Sequence, residues 1–351
     1  MFSFRTTPVS EQLDRGLIGG RVGCLCTPGS WDGRSGYLAD LFRSRGNLSR
    51  VFGPAAPEFS PDAGHIDFGI EDLEGLDAVV VDIQDVGSRY FGYTRDVLRL
   101  LSFRARMEDG PSIYIIDHIN PAGRVVEGTI PVLEPDLWTP KAAHRHGLTL
   151  GELCNLYCSE IGARFPLHII SALCSEVGKD LLPWTIAPAP DFPGMFTCEM
   201  YSGGGLWTAT SITPGIGTPR PYEYLGAPFL ANNAVPPSPP GVLMRPCSFT
   251  PSYGLYAGQE CFGYQIVLLP GVQYHSFLHS IQLMRWFADR DSRFELTPEL
   301  MDRINDPVIS EYLRGGITFD IVQEHVKLEE QKWIRKAKRF LLYEDAPYRI
   351  K

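Results

Sequence analysis

The sequence lacks the long apolar run that a signal peptide or a membrane-spanning helix requires. Its first residues, "MFSFRTTPVSEQLDRG", contain no apolar stretch of signal-peptide length. No later stretch approaches the roughly 18 consecutive apolar residues needed to span a bilayer. The chain as given is therefore expected to be soluble and cytoplasmic, with no membrane span. It would be periplasmic or exported if a signal peptide had been removed from it.

The chain also lacks an excess of positive charge. It has 32 Lys and Arg residues against 41 Asp and Glu residues, which gives a formal net charge of −9. A polyanion is repelled by such a surface unless a local basic patch overrides the average. No nucleic acid partner is therefore predicted, and the sequence says nothing about the oligomeric state.

Several catalytic and nucleotide-binding motifs are absent. The sequence contains no GxxxxGK[ST], no GxSxG and no HExxH pattern. The glycine-rich "GLIGGRVG" (16–23) precedes its predicted strand, whereas a dinucleotide fingerprint follows one. A nucleotide enzyme and a serine hydrolase are both unsupported, and no cofactor is predicted.

Cysteine is too sparse for a disulfide framework, with 8 residues in a chain of 351. Cys24 and Cys26 alternate in a predicted strand, and Cys154 and Cys158 lie four apart on a predicted helix. Neither pair has the two-residue gap of a zinc knuckle, so we expect buried, reduced thiols and no metal.

What the sequence does contain is an alternation of strands and helices over its first 170 or so residues. The predicted strands are 21–28, 50–54, 77–83, 112–121 and 165–172, and the predicted helices are 33–46, 93–107 and 148–162. The last helix begins with Thr149 and carries Glu152 three residues later, which is a capping-box pattern. This alternation predicts an α/β fold with an open, mostly parallel sheet.

The composition changes near residue 182. Up to about residue 241 the chain is crowded with proline and glycine, which argues against a regular helix or a central strand. We expect a functional loop over most of this stretch and a linker at 232–241. Beyond it, a strand (263–270) and two helices (274–290 and 329–343) predict a smaller α+β domain. The predicted domains are therefore 1–240 and 241–351.

Polar residues follow two buried strands at the point where each strand ends. In "VVVDIQDVGSRYFGY" (79–93), Asp82, Gln84 and Asp85 come at or just after the strand. Asp117, His118 and Asn120 end the next strand, and Glu127 follows. Ligands bind at the carboxyl ends of parallel strands, so these acids are candidates for acid/base work on a glycosidic or acyl bond. The alternative is that each residue caps a helix or makes a turn.

Three further residues are weaker candidates for ligand contacts. Arg89 lies among aromatic residues, His146 precedes a helix N-terminus that can hold an anion, and Asp191 lies in the stiff loop "PAPDFPG". A structural histidine and an ordinary turn are the respective alternatives. A metal site at His144 and His146 would need a third ligand that the sequence does not single out.

The motifs, taken in order, resemble those of the YbbC/NamZ family of bacterial exo-β-N-acetylmuramidases. The resemblance runs over nearly the whole chain and rests on the segments "VVVDIQDVGSRYFGYT", "IIDHINPAGRVVEGT", "HRHGLTLGELCNLY", "PWTIAPAPDFPG", "GIGTPRPYEYLGAPF" and "FLLYE". It implies a Rossmann-like N-terminal domain with helices on both faces of its sheet, a smaller C-terminal domain and a cleft between them. The implied activity is removal of terminal N-acetylmuramic acid from peptidoglycan fragments during cell-wall recycling.

The resemblance also implies a set of site residues and a small carbohydrate or muropeptide as ligand. Catalysis is expected from Asp82, Asp85 and Glu127. Substrate binding is expected from Gln84, Arg89, Asp117, Asn120, His146, Asp191, Arg220 and Glu223. Two of these, Arg89 and Arg220, and the helix N-terminus after His146 are the expected partners of the lactyl carboxylate of a muramic sugar.

Three departures from the family pattern leave the activity open. Ala55 and Ala56 in "FGPAAPEF" stand where the family has Glu and His, and Thr208 stands where another Glu is usual. The segment "HIN" (118–120) replaces Arg-Pro-Asn, and Glu58 is a possible substitute for the missing acid. The chain is therefore either a glycoside hydrolase that uses its remaining acids or a catalytically impaired homologue that binds sugars or muropeptides.

Overall fold

The computed structural model describes Leu13 and residues 18–31, 36–54, 66–133, 139–172, 186–231 and 234–343. Its first part is a five-stranded sheet in the order β2-β1-β3-β4-β5, and every neighbouring pair is parallel. The strands are β1 (Val22–Cys26), β2 (Leu48–Phe52), β3 (Ala78–Asp82), β4 (Ser112–Asp117) and β5 (Leu167–Ser171). The predicted α/β fold with a parallel sheet is confirmed.

Helices cover both faces of this sheet, as the near-continuous apolar strands require. They are α1 (Leu38–Ser44), α2 (Gly92–Ala105) and α3 (Leu150–Glu160). Even-numbered residues of β3, Ala78 and Val80, pack in the same cluster as Leu38 and Phe42 of α1. Odd-numbered Val79 and Val81 pack with α2 and α3 on the other face. The two faces follow from the alternation of side chains along a strand.

The predicted capping box at α3 is present. The Thr149 hydroxyl accepts a hydrogen bond from Glu152 N (3.2 Å), and Thr149 N donates to Glu152 Oε2 (2.9 Å). Two of the four backbone donors left unpaired at a helix start are thereby satisfied. This fixes the start of α3 over the end of β4.

The second part of the chain is built on a three-stranded antiparallel sheet in the order β6-β8-β7. Its strands are β6 (Tyr224–Ala227), β7 (Val242–Phe249) and β8 (Cys261–Leu268). The helices of this part are α4 (Met195–Gly204), α5 (Ser276–Ala288), α6 (Pro298–Ile304), α7 (Pro307–Leu313) and α8 (Phe319–Ala337). Short 3₁₀ turns occur at Ile70–Leu73, Gly205–Ala209 and Lys338–Phe340.

Two predictions about this part were wrong. The stretch 182–241 contains helix α4, because its prolines lie before residue 194 and after residue 213 and leave the sequence between them free to form a helix. The final helix begins at Phe319, ten residues earlier than the expected 329. Strand β6 is compatible with the proline-rich composition because it lies at the edge of its sheet.

The division into domains at residue 240 stays a prediction. Strand β6, at 224–227, pairs with β8 of the second sheet, which favours an earlier boundary. Free thiols are present at every cysteine of the described residues, and Cys174 lies outside them. Among the described helices, none combines the length and the apolar character needed to cross a membrane.

Candidate active site

We expect the site at the point of the parallel sheet where the chain stops adding strands on one side of β1 and begins adding them on the other. From β1 the chain goes to the edge strand β2, and from β3 it goes the other way, to β4 and β5. Helix α1 follows β1 on one face of the sheet, and α2 follows β3 on the other. A crevice forms between the loops at such a reversal, at the carboxyl ends of the strands, and ligands bind there in open α/β sheets. Here that point lies between Cys26 and Asp82, which are paired neighbours.

Asp82 lies at this reversal point and is paired with His118. Its Oδ1 atom is 2.5 Å from His118 Nε2. The Asp82 side chain is 12% exposed and that of His118 is 30% exposed. Burial alone would lower the pKa of His118, but the charge of Asp82 and the hydrogen bond between them raise it above its ordinary value. The pair is therefore a proton-carrying group within reach of solvent.

The loop after β1 forms one wall beside this pair. Ser30 Oγ donates to the backbone carbonyl of Asp82 (2.6 Å) and accepts from Thr27 N (2.9 Å). A side chain at Gly29 would lie 3.5 Å from the carbonyl oxygen of Ile186. The proline-rich segment therefore lies over this loop at residue 186.

Gln84 connects the loops after β3 and β4. Its side-chain amide donates to the carbonyl oxygens of Asp85 (2.7 Å) and Ile119 (2.9 Å). The residue is 8% exposed. Its amide nitrogen is therefore occupied in holding the two loops together, beside the Asp82–His118 pair.

Asp85 is sealed beneath the loop. Its carboxylate accepts from Thr94 Oγ1 (2.6 Å) and Gly87 N (2.9 Å), and His146 Nε2 lies 3.3 Å away. Asp85 is 2% exposed and His146 is fully buried. Burial opposes ionisation, but His146 and the two hydrogen bonds hold the pKa of Asp85 below its ordinary value. This carboxylate has the environment of a structural anion.

Asp117 is sealed under the N-terminus of α3. Its carboxylate accepts from Thr149 Oγ1, Gly151 N and Tyr343 Oη, each at 2.8 Å. Burial raises the pKa of Asp117 to about 6. Asn120, likewise buried, donates to Leu148 O and accepts from Ala122 N. Both residues are engaged in holding the loops that flank α3.

Glu127 is sealed at the junction of the two parts of the chain. Its Oε1 atom accepts from Arg145 Nη1 (2.7 Å), and Oε2 accepts from Ser202 Oγ, Ser276 Oγ and Phe277 N within 3.1 Å. Burial opposes ionisation, but the charges of His275 and Arg145 lower the pKa of Glu127. A carboxylate at the N-terminus of α5 is also stabilised by the helix dipole.

Arg89 is buried, and its guanidinium binds backbone carbonyls of both parts of the chain. Its guanidinium donates to the carbonyl oxygens of Thr129 (2.7 Å), Ala142 (3.0 Å), Arg303 (2.6 Å) and Ile304 (2.9 Å). Burial lowers its pKa to about 10. Arg89 joins the first part of the chain to α6, and it also lines a pocket together with Tyr90 and Arg303. Its expected role with a substrate carboxylate stays a prediction.

The remaining predicted residues are Asp191 in the proline-rich segment and Arg220 and Glu223 just before β6. Asp191 is half-buried and accepts from Tyr253 Oη (2.7 Å), and burial raises its pKa. Arg220 is exposed and donates to Glu223 Oε2 (2.9 Å). Glu223 is also 3.5 Å from Gln265 Nε2 of β8. Arg220 and Glu223 thus lie just before β6 of the antiparallel sheet, and Glu223 also contacts β8.

Three of the four candidate acids, Asp85, Asp117 and Glu127, are at most 2% exposed, so they do not line an open crevice. Their roles in catalysis remain predictions, and Asp82 alone of the four combines partial exposure with a titratable partner. The sequence placed His118 at the strand end, but it was not among the predicted catalytic or substrate-binding residues. Alternation along β4 supplies the signal, because His118 follows the parity of Ile116 and Asp82 rather than that of Asp117.

Only some of the positions where the chain departs from the family pattern lie within the described residues. Ala55, Ala56 and Glu58 lie outside the described residues. Thr208 lines a pocket of about 560 Å³ together with Tyr90, Tyr201 and Arg303. Its hydroxyl donates to Gly205 O (2.8 Å) and accepts from Arg303 Nη1. The position where the family has glutamate thus faces this cavity, and here it carries the neutral side chain of Thr208.

Comparisons with known proteins agree on one family. The models "Exo-beta-N-acetylmuramidase NamZ, N-terminal" and "Exo-beta-N-acetylmuramidase NamZ, C-terminal" match residues 67–193 and 199–343. The Peptidoglycan beta-N-acetylmuramidase NamZ of Bacillus subtilis (strain 168) is 26% identical over 290 residues, which cover 78% of this chain and 69% of the relative.

Two crystal structures of DUF1343 family proteins from Bacteroides fragilis NCTC 9343 share the fold. One has a TM-score of 0.75 at 19% identity and covers 96% of this chain and 97% of its own. The other has a TM-score of 0.72 at 20% identity and covers 96% and 98%. With two matching models that together span most of its length, the chain belongs to the NamZ family of exo-β-N-acetylmuramidases, a family of glycoside hydrolases.

Proposed function

We propose that this protein is an exo-β-N-acetylmuramidase that releases N-acetylmuramic acid from peptidoglycan-derived sugars, and that catalysis takes place at the strand-order reversal beside Asp82. The observation that carries the proposal is the partly exposed Asp82 carboxylate, 2.5 Å from an imidazole, at the carboxyl end of β3. Family membership supports the substrate class. Glycoside hydrolysis requires groups that donate and accept protons at the scissile bond, and such a pair can supply one.

The sealed acids have a different part in this proposal. Asp85 and Glu127 keep their charges through fixed hydrogen bonds, so neither can exchange a proton with a substrate without losing them. We assign them to holding the loop after β3 and the N-terminus of α5. Asp82 is the remaining member of the three expected catalytic acids.

The test is release of N-acetylmuramic acid from the disaccharide N-acetylmuramyl-β-1,4-N-acetylglucosamine. We expect wild type to release it and Asp82→Asn to be slower by roughly 10²–10⁴-fold, the usual contribution of an acid/base group. Asp109→Asn is the matched control, because Asp109 is exposed and precedes β4, at the amino ends of the strands, whereas Asp82 lies at their carboxyl ends. Absence of release by wild type would overturn the hydrolase proposal.

A second function is favoured by the Thr208 pocket. A cavity of about 560 Å³ lined by two tyrosines and Arg303 can accommodate a sugar even where the family's glutamate is replaced. In that case the protein would bind muramyl sugars without cleaving them. Calorimetry with N-acetylmuramic acid and N-acetylglucosamine distinguishes the two, since the binding function predicts affinity for the former without turnover.

A further inference from the structure

We propose that His118 is the group that exchanges a proton with the glycosidic oxygen, and that Asp82 is its positioning residue. This inference rests on the proposed hydrolase function and names the atom through which Asp82 acts. His118 is the first residue of the segment His-Ile-Asn, which replaces the Arg-Pro-Asn pattern of the family.

The geometry gives the two ring nitrogens different tasks. Nε2 lies 2.5 Å from Asp82 Oδ1, which fixes the orientation of the ring. Nδ1 makes no hydrogen bond within the part of the chain that the structure describes. The imidazole side chain is 30% exposed, so a ligand can reach the ring while Nε2 stays bound to Asp82. A carboxylate that orients one ring nitrogen leaves the other available for proton transfer.

The wall beside the pair supports the orientation of Asp82. Ser30 Oγ donates to the backbone carbonyl of Asp82 at 2.6 Å, and the residue is the last of a fully paired strand. The carboxylate therefore projects from a rigid position. Two carboxylates act on the imidazole electrostatically, Asp82 directly and Asp117 from the other face of β4, and both favour its protonated form.

The proposed chemical step is a hydrolysis, in which water supplies the oxygen that replaces the leaving group at C1. Protonated His118 gives the proton on Nδ1 to the glycosidic oxygen, and the bond from that oxygen to C1 of the sugar breaks with its electron pair on the departing oxygen. Water adds its oxygen to C1 and loses one proton, which returns the imidazole to its protonated form. The products are N-acetylmuramic acid and the shortened fragment, and no oxidant or further reactant is needed.

Leaving-group dependence is the measurement that separates a proton donor from a structural residue. A sugar leaving group needs protonation, whereas 2,4-dinitrophenolate leaves without it. We expect His118→Gln to lose roughly 10²–10⁴-fold in kcat on the disaccharide and only a small fraction of that on 2,4-dinitrophenyl N-acetylmuramide. The control is His168→Gln, an exposed histidine stacked on Tyr114 of β4, which is expected to behave as wild type on both.

The outcomes distinguish this proposal from the function on which it rests. Equal loss on the two substrates overturns the role of His118 and leaves the hydrolase intact. No release from either substrate by wild type overturns both. The positioning role of Asp82 is tested by NMR titration of the His118 ring, whose pKa should fall in Asp82→Asn because the charge that raises it is removed. An unchanged pKa overturns that role.

Discussion

Two acids that end neighbouring strands of one sheet lie in opposite environments. Asp82 of β3 is partly exposed and has one imidazole partner, whereas Asp117 of β4 is completely buried and accepts three hydrogen bonds under α3. The pairing register offsets them by one residue, since Asp82 pairs with Ile116. One residue of offset turns a side chain to the other face of a sheet. For these two acids, the position along the strand decides which face of the sheet the side chain lies on, and therefore whether it lies at the site or in the scaffold.

The comparison predicts that the sealed acids mainly stabilise the fold. The largest effect is expected for Glu127→Ala, which leaves the buried guanidinium of Arg145 without its charge partner and removes an acceptor at the N-terminus of α5. Breaking such a pair costs about 3–5 kcal/mol. The measurement is the free energy of unfolding in urea. Glu324→Ala on the exposed side of α8 is the control and should stay within about 0.5 kcal/mol of wild type.

Asp117 is expected to make stability depend on pH. Its pKa is raised from 3.8 to about 6 in the folded protein, so the folded state binds the proton more tightly. The stability from this group is fully present below pH 3.8 and is lost as pH rises through about 6. The loss amounts to about 3 kcal/mol. Urea unfolding of wild type and Asp117→Asn between pH 4 and 7 should give a difference that declines over this window, and a constant difference would contradict the assignment.

The sequence was sufficient for the sheet because its central strands β1 and β3 are almost entirely apolar and fully buried, and amphipathic helices separate the strands. Val79, Val80 and Val81 identify a buried parallel strand without further information. The capping box at Thr149 and Glu152 is a local pattern and was equally readable. In the second sheet, only β8 was predicted, as the strand 263–270, because β6 lies in the proline-rich stretch and β7 contains a proline.

The site was less predictable because burial is decided by tertiary contacts. Nothing local distinguishes Asp85, which is covered by His146 sixty-one residues later, from Asp82, whose side chain stays 12% exposed. Arg89 shows the same limit, since its carbonyl partners at 303 and 304 belong to a helix that was not predicted. His118 lies at a strand end in the sequence, but only the tertiary contact with Asp82 distinguishes it from an ordinary exposed histidine.

A smaller effect is expected at the contact between α3 and Asp117. Thr149→Ala removes the hydroxyl that accepts from Glu152 N and donates to Asp117 Oδ2. Loss of an N-cap costs about 1–2 kcal/mol, and part of this should appear as a further rise in the pKa of Asp117. Thermal unfolding measures the first and carboxyl NMR the second. Ser159→Ala, an exposed position near the end of α3, is expected to change neither.

The smallest change in stability is expected for Asp82→Asn, and it is the sharpest test of the comparison. Partly exposed ion pairs contribute about 0–1 kcal/mol, because water solvates both partners once they separate. Asparagine keeps the size of the side chain and a hydrogen-bonding oxygen, so the free energy of unfolding should fall by no more than about 1 kcal/mol. Hydrolysis should nevertheless fall by roughly 10²–10⁴-fold. If unfolding measurements instead gave a loss as large as that of Glu127→Ala, Asp82 would belong with the sealed acids, because only a carboxylate on which the fold depends destabilises it to that extent.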